Sequence, residues 1–252
     1  PLLVAEQNAV PGATNKIIAR FAEVSAVSFE DVNLPHSVLT GNPLRHEILN
    51  FIESDSRKEV RRELGVDDRT MITVFGGSLG AHHLNETVFE LSQLWEGKAI
   101  SIYHVLGARD WPEFSQLEQK SIGDVEYKMI EYLSDLTALI GAADLVISRA
   151  GATSVSEITA LGVPSILVPL PNSPGNHQEK NALFFEKNGS AILLPDNELS
   201  YISLSNKISY LLDDESILRE MGKRTRGVAH LTAGDDIVDL ISSIIERRSY
   251  GE

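Results

Sequence analysis

Strand-like segments, most of them short apolar runs, punctuate the chain from residue 71 onward, at Met71 to Phe75, Ala99 to Leu106, Val125 to Ile130, Asp144 to Ile147, Ser165 to Val168 and Ala191 to Leu194. Runs of this length bounded by turn-forming residues predict buried strands. Between them, Ala81 to Leu94, Pro112 to Lys120, Ser134 to Gly141, Thr153 to Leu161 and Asn176 to Asn188 space their apolar residues as a helix face does. Strands and helices alternating over such short connections imply right-handed crossovers and an α/β fold built on a parallel sheet. Ser200 to Arg248 adds three helical segments, with Thr232 or Asp235 placed to cap the last.

The first forty residues carry a shorter version of the same pattern. The opening P-L-L-V-A reads as a strand, Ala13 to Ala22 as a helix with Ile17, Ile18 and Phe21 on one face, and Val24 to Phe29 and Ser37 to Thr40 as extended pieces. Gly41-Asn42-Pro43 interrupts the pattern, because Pro43 cannot continue a helix but suits the start of one. A domain boundary is expected there. A strand at Pro1 with nothing before it needs partners, so the chain is expected to begin partway into a larger protein.

Composition narrows the function classes. At 252 residues and 42% hydrophobic content the chain can bury a full core. A formal net charge of -14, with no stripe of Lys and Arg, argues against a nucleic-acid partner, so any anionic ligand must be held locally. The absence of cysteine excludes disulfides and zinc-thiolate sites and fits a reducing compartment. Apolar runs such as Val163 to Leu170, broken by Pro164 and Pro169, fall short of the ~20 residues of a membrane span, and no signal-peptide pattern is present. Peripheral contact with a membrane surface is compatible with all of this.

The candidate chemistry lies in the loops that follow the strands. In D-L-V-I-S-R-A-G-A-T-S-V-S-E, the apolar Leu145 to Ile147 lead through Gly151 into a helix whose first-turn signals run from Thr153 to Glu157. Unpaired N–H groups and a partial positive charge at such a helix start bind anions. Gly76-Gly77-Ser78-Leu79-Gly80 follows another strand with small residues and one hydroxyl, suited to a phosphate oxygen, but its spacing is neither the dinucleotide fingerprint nor a P-loop. Glu157 has two readings, a capping-box carboxylate or an acceptor for a ribose diol. In the proline-rich loop before Asn176, the side chains of His177, Gln178 and Asn181 offer the donors and acceptors that read polyols, or simply a solvated helix start. His82 and His83 do not face one way on a helix and are read as surface residues, and no metal-ligand spacing is found. Glu6-Gln7-Asn8 follows the first strand, and Arg45 at the junction is a candidate cation for a diphosphate or a base edge.

Taken in order, E-Q-N-A-V-P-G-A-T-N-K, G-N-P-L-R, G-G-S-L-G-A, R-A-G-A-T-S-V-S-E, L-G-V-P-S-I-L-V-P and N-H-Q-E-K-N-A closely resemble the MurG family of peptidoglycan glycosyltransferases, from about Val4 to Ala191. The resemblance implies a GT-B fold, in which two Rossmann-like domains flank a cleft, and transfer of N-acetylglucosamine from UDP-GlcNAc to lipid I to give lipid II. It divides the chain into residues 1–40 as the end of an N-terminal acceptor domain, 41–231 as the UDP-GlcNAc-binding domain and 232–252 as a C-terminal helix. Ser78 would meet the diphosphate, Glu157 the ribose hydroxyls and the Leu133 backbone the uracil. Ala152, Thr153, Ser154, Val155 and Ser156 would lie along the diphosphate and sugar. Gln178 would read the GlcNAc hydroxyls, with Asn8 and Arg45 as further donor-site residues. His177 stands where some members carry glutamine.

The resemblance further implies an inverting displacement without metal or cofactor, at the cytoplasmic face of a bacterial membrane, on a lipid-linked acceptor held by the N-terminal domain. The glycine-rich, histidine-bearing loop that opens that domain is not in the sequence, and no general base is recognisable. Two other readings are a stand-alone UDP-sugar-binding module or subunit of a two-chain transferase, and a UDP-GlcNAc epimerase, for which the catalytic carboxylates are not found.

Overall fold

A computed structural model describes residues 1–66, 68–77, 79–119 and 123–249. The first strands, β1 (Leu3–Glu6), β2 (Val24–Val27) and β3 (Ser37–Leu39), form a parallel sheet in that order, with α1 (Ala13–Ile18) and a 3-10 turn at Ala19–Phe21 between β1 and β2. The second sheet contains β4 (Thr70–Phe75), β5 (Ile100–Val105), β6 (Val125–Ile130), β7 (Leu145–Ser148), β8 (Ser165–Leu167) and β9 (Ala191–Leu193). Its spatial order is β6-β5-β4-β7-β8-β9, with every pairing parallel. The alternation expected from the apolar runs is therefore observed, with strand ends moved by a residue or two.

The remaining helices are α2 (His46–Ser54), α3 (Arg57–Leu64), α4 (His82–Leu94), α5 (Trp111–Phe114), α6 (Thr137–Ala142), α7 (Ala152–Leu161), α8 (His177–Lys187), α9 (Tyr201–Asp213), α10 (Glu215–Gly227) and α11 (Ala233–Ser249). Both faces of the second sheet are covered, which is why its inner strands read as largely apolar runs, while the edge strand β6 carries Glu126 and Lys128. Along β4, Ile72 and Val74 join Leu84, Val88 and Leu91 of α4 and Leu204, Ile208 and Leu211 of α9. Met71 and Phe75 point the other way, to Leu139 and Ile140 of α6 and Ile158 of α7. Buried between them, Thr73 satisfies its hydroxyl by donating to the Leu139 carbonyl at 2.8 Å.

Two sequence expectations need correction. The helix expected from Pro112 to Lys120 ends at Phe114, because Phe114 is buried whereas Leu117 is exposed and leaves no apolar face to pack; Lys120 lies outside the described residues. Pro43 suits a helix start, but the pattern between it and Met71 gives no helix range, and α2 and α3 occupy that stretch. α2 buries Ile48 completely, while α3 is so rich in charge that only Val60 and Leu64 reach the core.

A buried polar chain at the end of β5 supports the loop after β4. His104 is fully buried, with Nδ1 2.8 Å from the Tyr127 hydroxyl and Nε2 3.0 Å from Asn85 Oδ1. The Asn85 amide donates to Leu106 O and Asp110 Oδ2, so its oxygen accepts and His104 donates from Nε2. Burial pushes the imidazole pKa down to about 3, against a smaller upward pull from Asp110. The unfolded imidazole takes up a proton below about 6.5, and the folded one does not until about 3. Its stabilising effect is thus complete above pH 6.5 and is lost progressively as pH falls toward 3. Urea unfolding at pH 7 and 5.5 is expected to show a loss of about 1 kcal/mol that His104→Gln lacks. An equal pH dependence in the two proteins would rule this out.

Candidate nucleotide-sugar site

The sheet reverses its direction of growth between β4 and β7: β5 and β6 add on one side of β4, β7 to β9 on the other. Open α/β sheets bind ligands beyond the carboxyl ends of their strands at such a point, because the two following loops diverge and leave a crevice. Here Phe75 pairs with Ser148, so the 76–80 loop and the 149–151 turn emerge side by side. Gly77 and Gly80 have φ of +98° and +84°. At Gly80 an added Cβ would also fall 2.3 Å from the Leu106 carbonyl oxygen, so backbone shape and space both demand glycine. Ser78 lies outside the described residues.

On the neighbouring turn, Gly151 precedes α7 in an extended conformation with no side-chain cap. The first helical bond runs from Val155 N to Gly151 O, and the N–H groups of Ala152, Thr153 and Ser154 have no partner among the described residues. The turn therefore has the unpartnered N–H groups and helix-start dipole expected from the sequence. Val155 is buried against the core, and the Ser156 hydroxyl is turned back to Ala152 O at 2.9 Å, so neither side chain is free for a ligand. Arg149, the cation nearest in sequence, points away: Nη1 donates to Val168 O and Pro169 O and pairs with Asp196.

Glu157 is not in the first turn of its helix, as expected, but is the sixth residue of α7, and the capping-box reading fails on that geometry. The residue is 6% exposed, and Oε1 accepts from Arg45 Nε at 2.7 Å. Oε2 accepts from no described residue. Arg45, whose pKa is raised chiefly by this hydrogen bond, also donates from Nη1 to Ser134 O at 3.2 Å and lies 3.4 Å from Asp135. One guanidinium thus ties the buried carboxylate to the loop containing Leu133, which is partly exposed and makes no hydrogen bond to a described residue.

A second cluster secures the turn before α7. Asn181 is completely buried; Oδ1 accepts from Ala9 N at 2.8 Å, and Nδ2 donates to Asn8 Oδ1 at 3.2 Å and Ala150 O at 3.1 Å. As a reader of polyols it has no capacity left, because protein groups take its oxygen and both amide hydrogens. Asn8 donates to Glu6 from both its backbone and its side chain. Glu6, 4% exposed, also accepts from Gly12 N and Asn15 Nδ2, folding the post-β1 turn back on its strand. Sequence reasoning named Glu6 only as part of a turn; an acidic residue ending an apolar strand was the available signal.

Gln178 accepts from Leu170 N through Oε1 at 2.9 Å, leaving Nε2 available, and His177 Nδ1 lies 2.6 Å from Pro174 O. His82 and His83 diverge as expected, toward Glu86 and Asp110 in one case and Asp196 in the other. Among the described residues no group of three or more His, Cys, Asp or Glu is arranged to hold a metal ion, and no helix is long and apolar enough to cross a membrane.

Residues 71–237 match the glycosyltransferase family 28 C-terminal domain. The chain belongs to this family. Among family 28 relatives, the UDP-N-acetylglucosamine--N-acetylmuramyl-(pentapeptide) pyrophosphoryl-undecaprenol N-acetylglucosamine transferase of Acetivibrio thermocellus is 36% identical over 260 residues, covering 100% of this chain and 69% of the relative. The protein of the same name from Desulforudis audaxviator is 37% identical, over 96% of this chain and 67% of its own length. The crystal structure of Acinetobacter baumannii MurG superposes with a TM-score of 0.79 at 28% identity, covering 96% of this chain and 68% of that one. The family 28 fold seen here is the GT-B fold of these glycosyltransferases.

Proposed function

We propose that this chain forms the donor-binding part of an inverting glycosyltransferase that moves N-acetylglucosamine from UDP-GlcNAc to lipid I, giving lipid II. The observation that carries the reading is the adjacency of the two strand-end loops at the β4–β7 reversal, with the buried Glu157 carboxylate one helical turn beyond the free N–H groups of α7. The N–H groups of Ala152 to Ser154, with Ser78, receive the diphosphate. The free Oε2 of Glu157 accepts from the ribose hydroxyls. The Leu133 backbone meets the uracil, and Gln178 Nε2 donates to a GlcNAc hydroxyl. Arg45 holds Glu157 and the Leu133 loop in register, while Asn8 acts through Asn181 on the turn before α7.

In the reaction the acceptor hydroxyl attacks the anomeric carbon as UDP departs. Negative charge grows on the diphosphate, where fixed N–H donors stabilise it without reorganising. A metal is not required for this step. Residues 41–231 constitute the donor domain, 1–40 the end of the acceptor domain and 232–252 a C-terminal segment that contains α11, with the lipid-linked acceptor approaching from the cytoplasmic face of the membrane.

Calorimetric titration of the chain is expected to show binding of UDP-GlcNAc, displacement by UDP and much weaker binding of ADP. A folded chain that binds no UDP-GlcNAc would sink the proposal. Gln178→Ala is expected to weaken UDP-GlcNAc about fivefold, the equivalent of one ordinary hydrogen bond, and to leave UDP nearly unchanged. Equal weakening of both ligands would remove Gln178 from the sugar subsite.

A further inference from the structure

At the opposite end of the second sheet, where its strands begin, a groove of about 740 Å3 is lined by Arg57, Lys58 and Arg61 of α3, by Arg219, Lys223 and Arg226 of α10, and by the starts of β4, β7 and β8. Basic side chains outnumber acidic ones here by more than two to one, in a chain of formal net charge -14. The central carboxylate is already committed: Asp144 receives Arg57 at 2.6 Å, Arg61 at 3.0 Å and the Met71 N–H at 2.8 Å. Lys58, Arg219 and Arg226 make no ion pair with any described residue, and Lys223 reaches only the exposed Glu220, at 3.9 Å. Arg226 is held at the rim by packing on Gly162, where an added Cβ would fall 2.4 Å from its Cγ. Burial lowers the pKa of Arg57, and the charges of Arg61 and Arg226 push it the same way against the pull of Asp144. Seven basic side chains against three acidic ones, Asp68, Asp144 and Glu215, with Asp144 already committed, leave a positive potential that a ligand can neutralise.

We propose that this groove binds an anion carrying two or more phosphate groups, at a site separate from the crevice at the carboxyl ends of the strands. A single carboxylate would answer one cation. Linked phosphates offer several oxygens each, matching guanidinium forks and lysine ammonium groups on both walls at once. A long nucleic acid does not fit this description, because the acidic surface beyond the groove repels it. The phosphates can come from a soluble oligophosphate or from the headgroups of an anionic lipid surface.

Inorganic tripolyphosphate titrated into the full chain provides the probe. A binding event is expected that persists at saturating UDP, weakens as salt rises, and is about tenfold or more weaker in a Lys58→Ser, Arg219→Ser, Lys223→Ser variant. These side chains are exposed and lie outside the donor crevice, so the variant retains its fold, which its circular dichroism melt checks. Absence of binding, displacement by UDP, or unchanged affinity in the folded variant overturns the proposal. Sedimentation with phosphatidylglycerol vesicles but not phosphatidylcholine vesicles, competed by tripolyphosphate, assigns the phosphates to a lipid surface; no sedimentation assigns them to a soluble anion. UDP titrated alone reports on the crevice separately, so failure of either reading is distinguishable from failure of the other.

Discussion

Glu157→Ala is expected to weaken binding of UDP-GlcNAc and of UDP by the same factor, about 10- to 100-fold, while the chain stays folded. The factor is shared because the ribose belongs to both ligands. Hydrogen bonds to a charged group contribute about 1.5–3 kcal/mol, more than neutral ones, and no described protein group takes over Oε2. The substitution also frees Arg45, whose other partners, Ser134 O at 3.2 Å and Asp135 at 3.4 Å, are longer contacts at an exposed loop. Glu157→Gln keeps an oxygen for Arg45 but loses the charge, and an intermediate effect is expected. A helix cap would behave differently, costing stability and leaving affinity alone. Calorimetry with unchanged affinity for both ligands, on a protein whose melt is normal, would exclude Glu157 from the donor site.

The largest loss of stability is expected at a residue that touches no ligand. Asn181→Leu should cost about 3–5 kcal/mol, measured as a fall in urea midpoint at constant slope. The leucine strands the Ala9 N–H and the Ala150 carbonyl, both previously bonded to the buried amide, and removes the donor to Asn8. Asn181→Asp retains an acceptor for Ala9 but turns an oxygen toward the Ala150 carbonyl, so it should not rescue. A loss below about 1 kcal/mol would mean that the three contacts do not act as a buried staple.

The two residues also mark how far local sequence carries. The inner strands of the second sheet are readable because burial on both faces leaves them largely apolar, whereas the edge strand β6, Val125–Ile130, alternates through Glu126 and Lys128 and still matches the expected bounds to the residue. α3 escaped notice for the opposite reason: it contacts the core through only two partly buried apolar side chains on a highly charged helix. The helix expected through Lys120 was overextended because composition alone does not reveal that nothing packs beyond Phe114.

By itself, the amino-acid order determined the alternation of strands and helices, the glycine-bearing turns and the resemblance to one glycosyltransferase family. These depend on periodicity and on backbone freedom, which act over a few neighbouring residues. The tertiary structure alone decided what the polar side chains do. Glu157 finds its cation 112 residues away at Arg45, and Asn181 bonds to Ala9 and Asn8 at separations of 172 and 173. A buried polar group must be satisfied by whichever partner the fold brings within about 3 Å, and sequence neighbours carry no record of which partner that is.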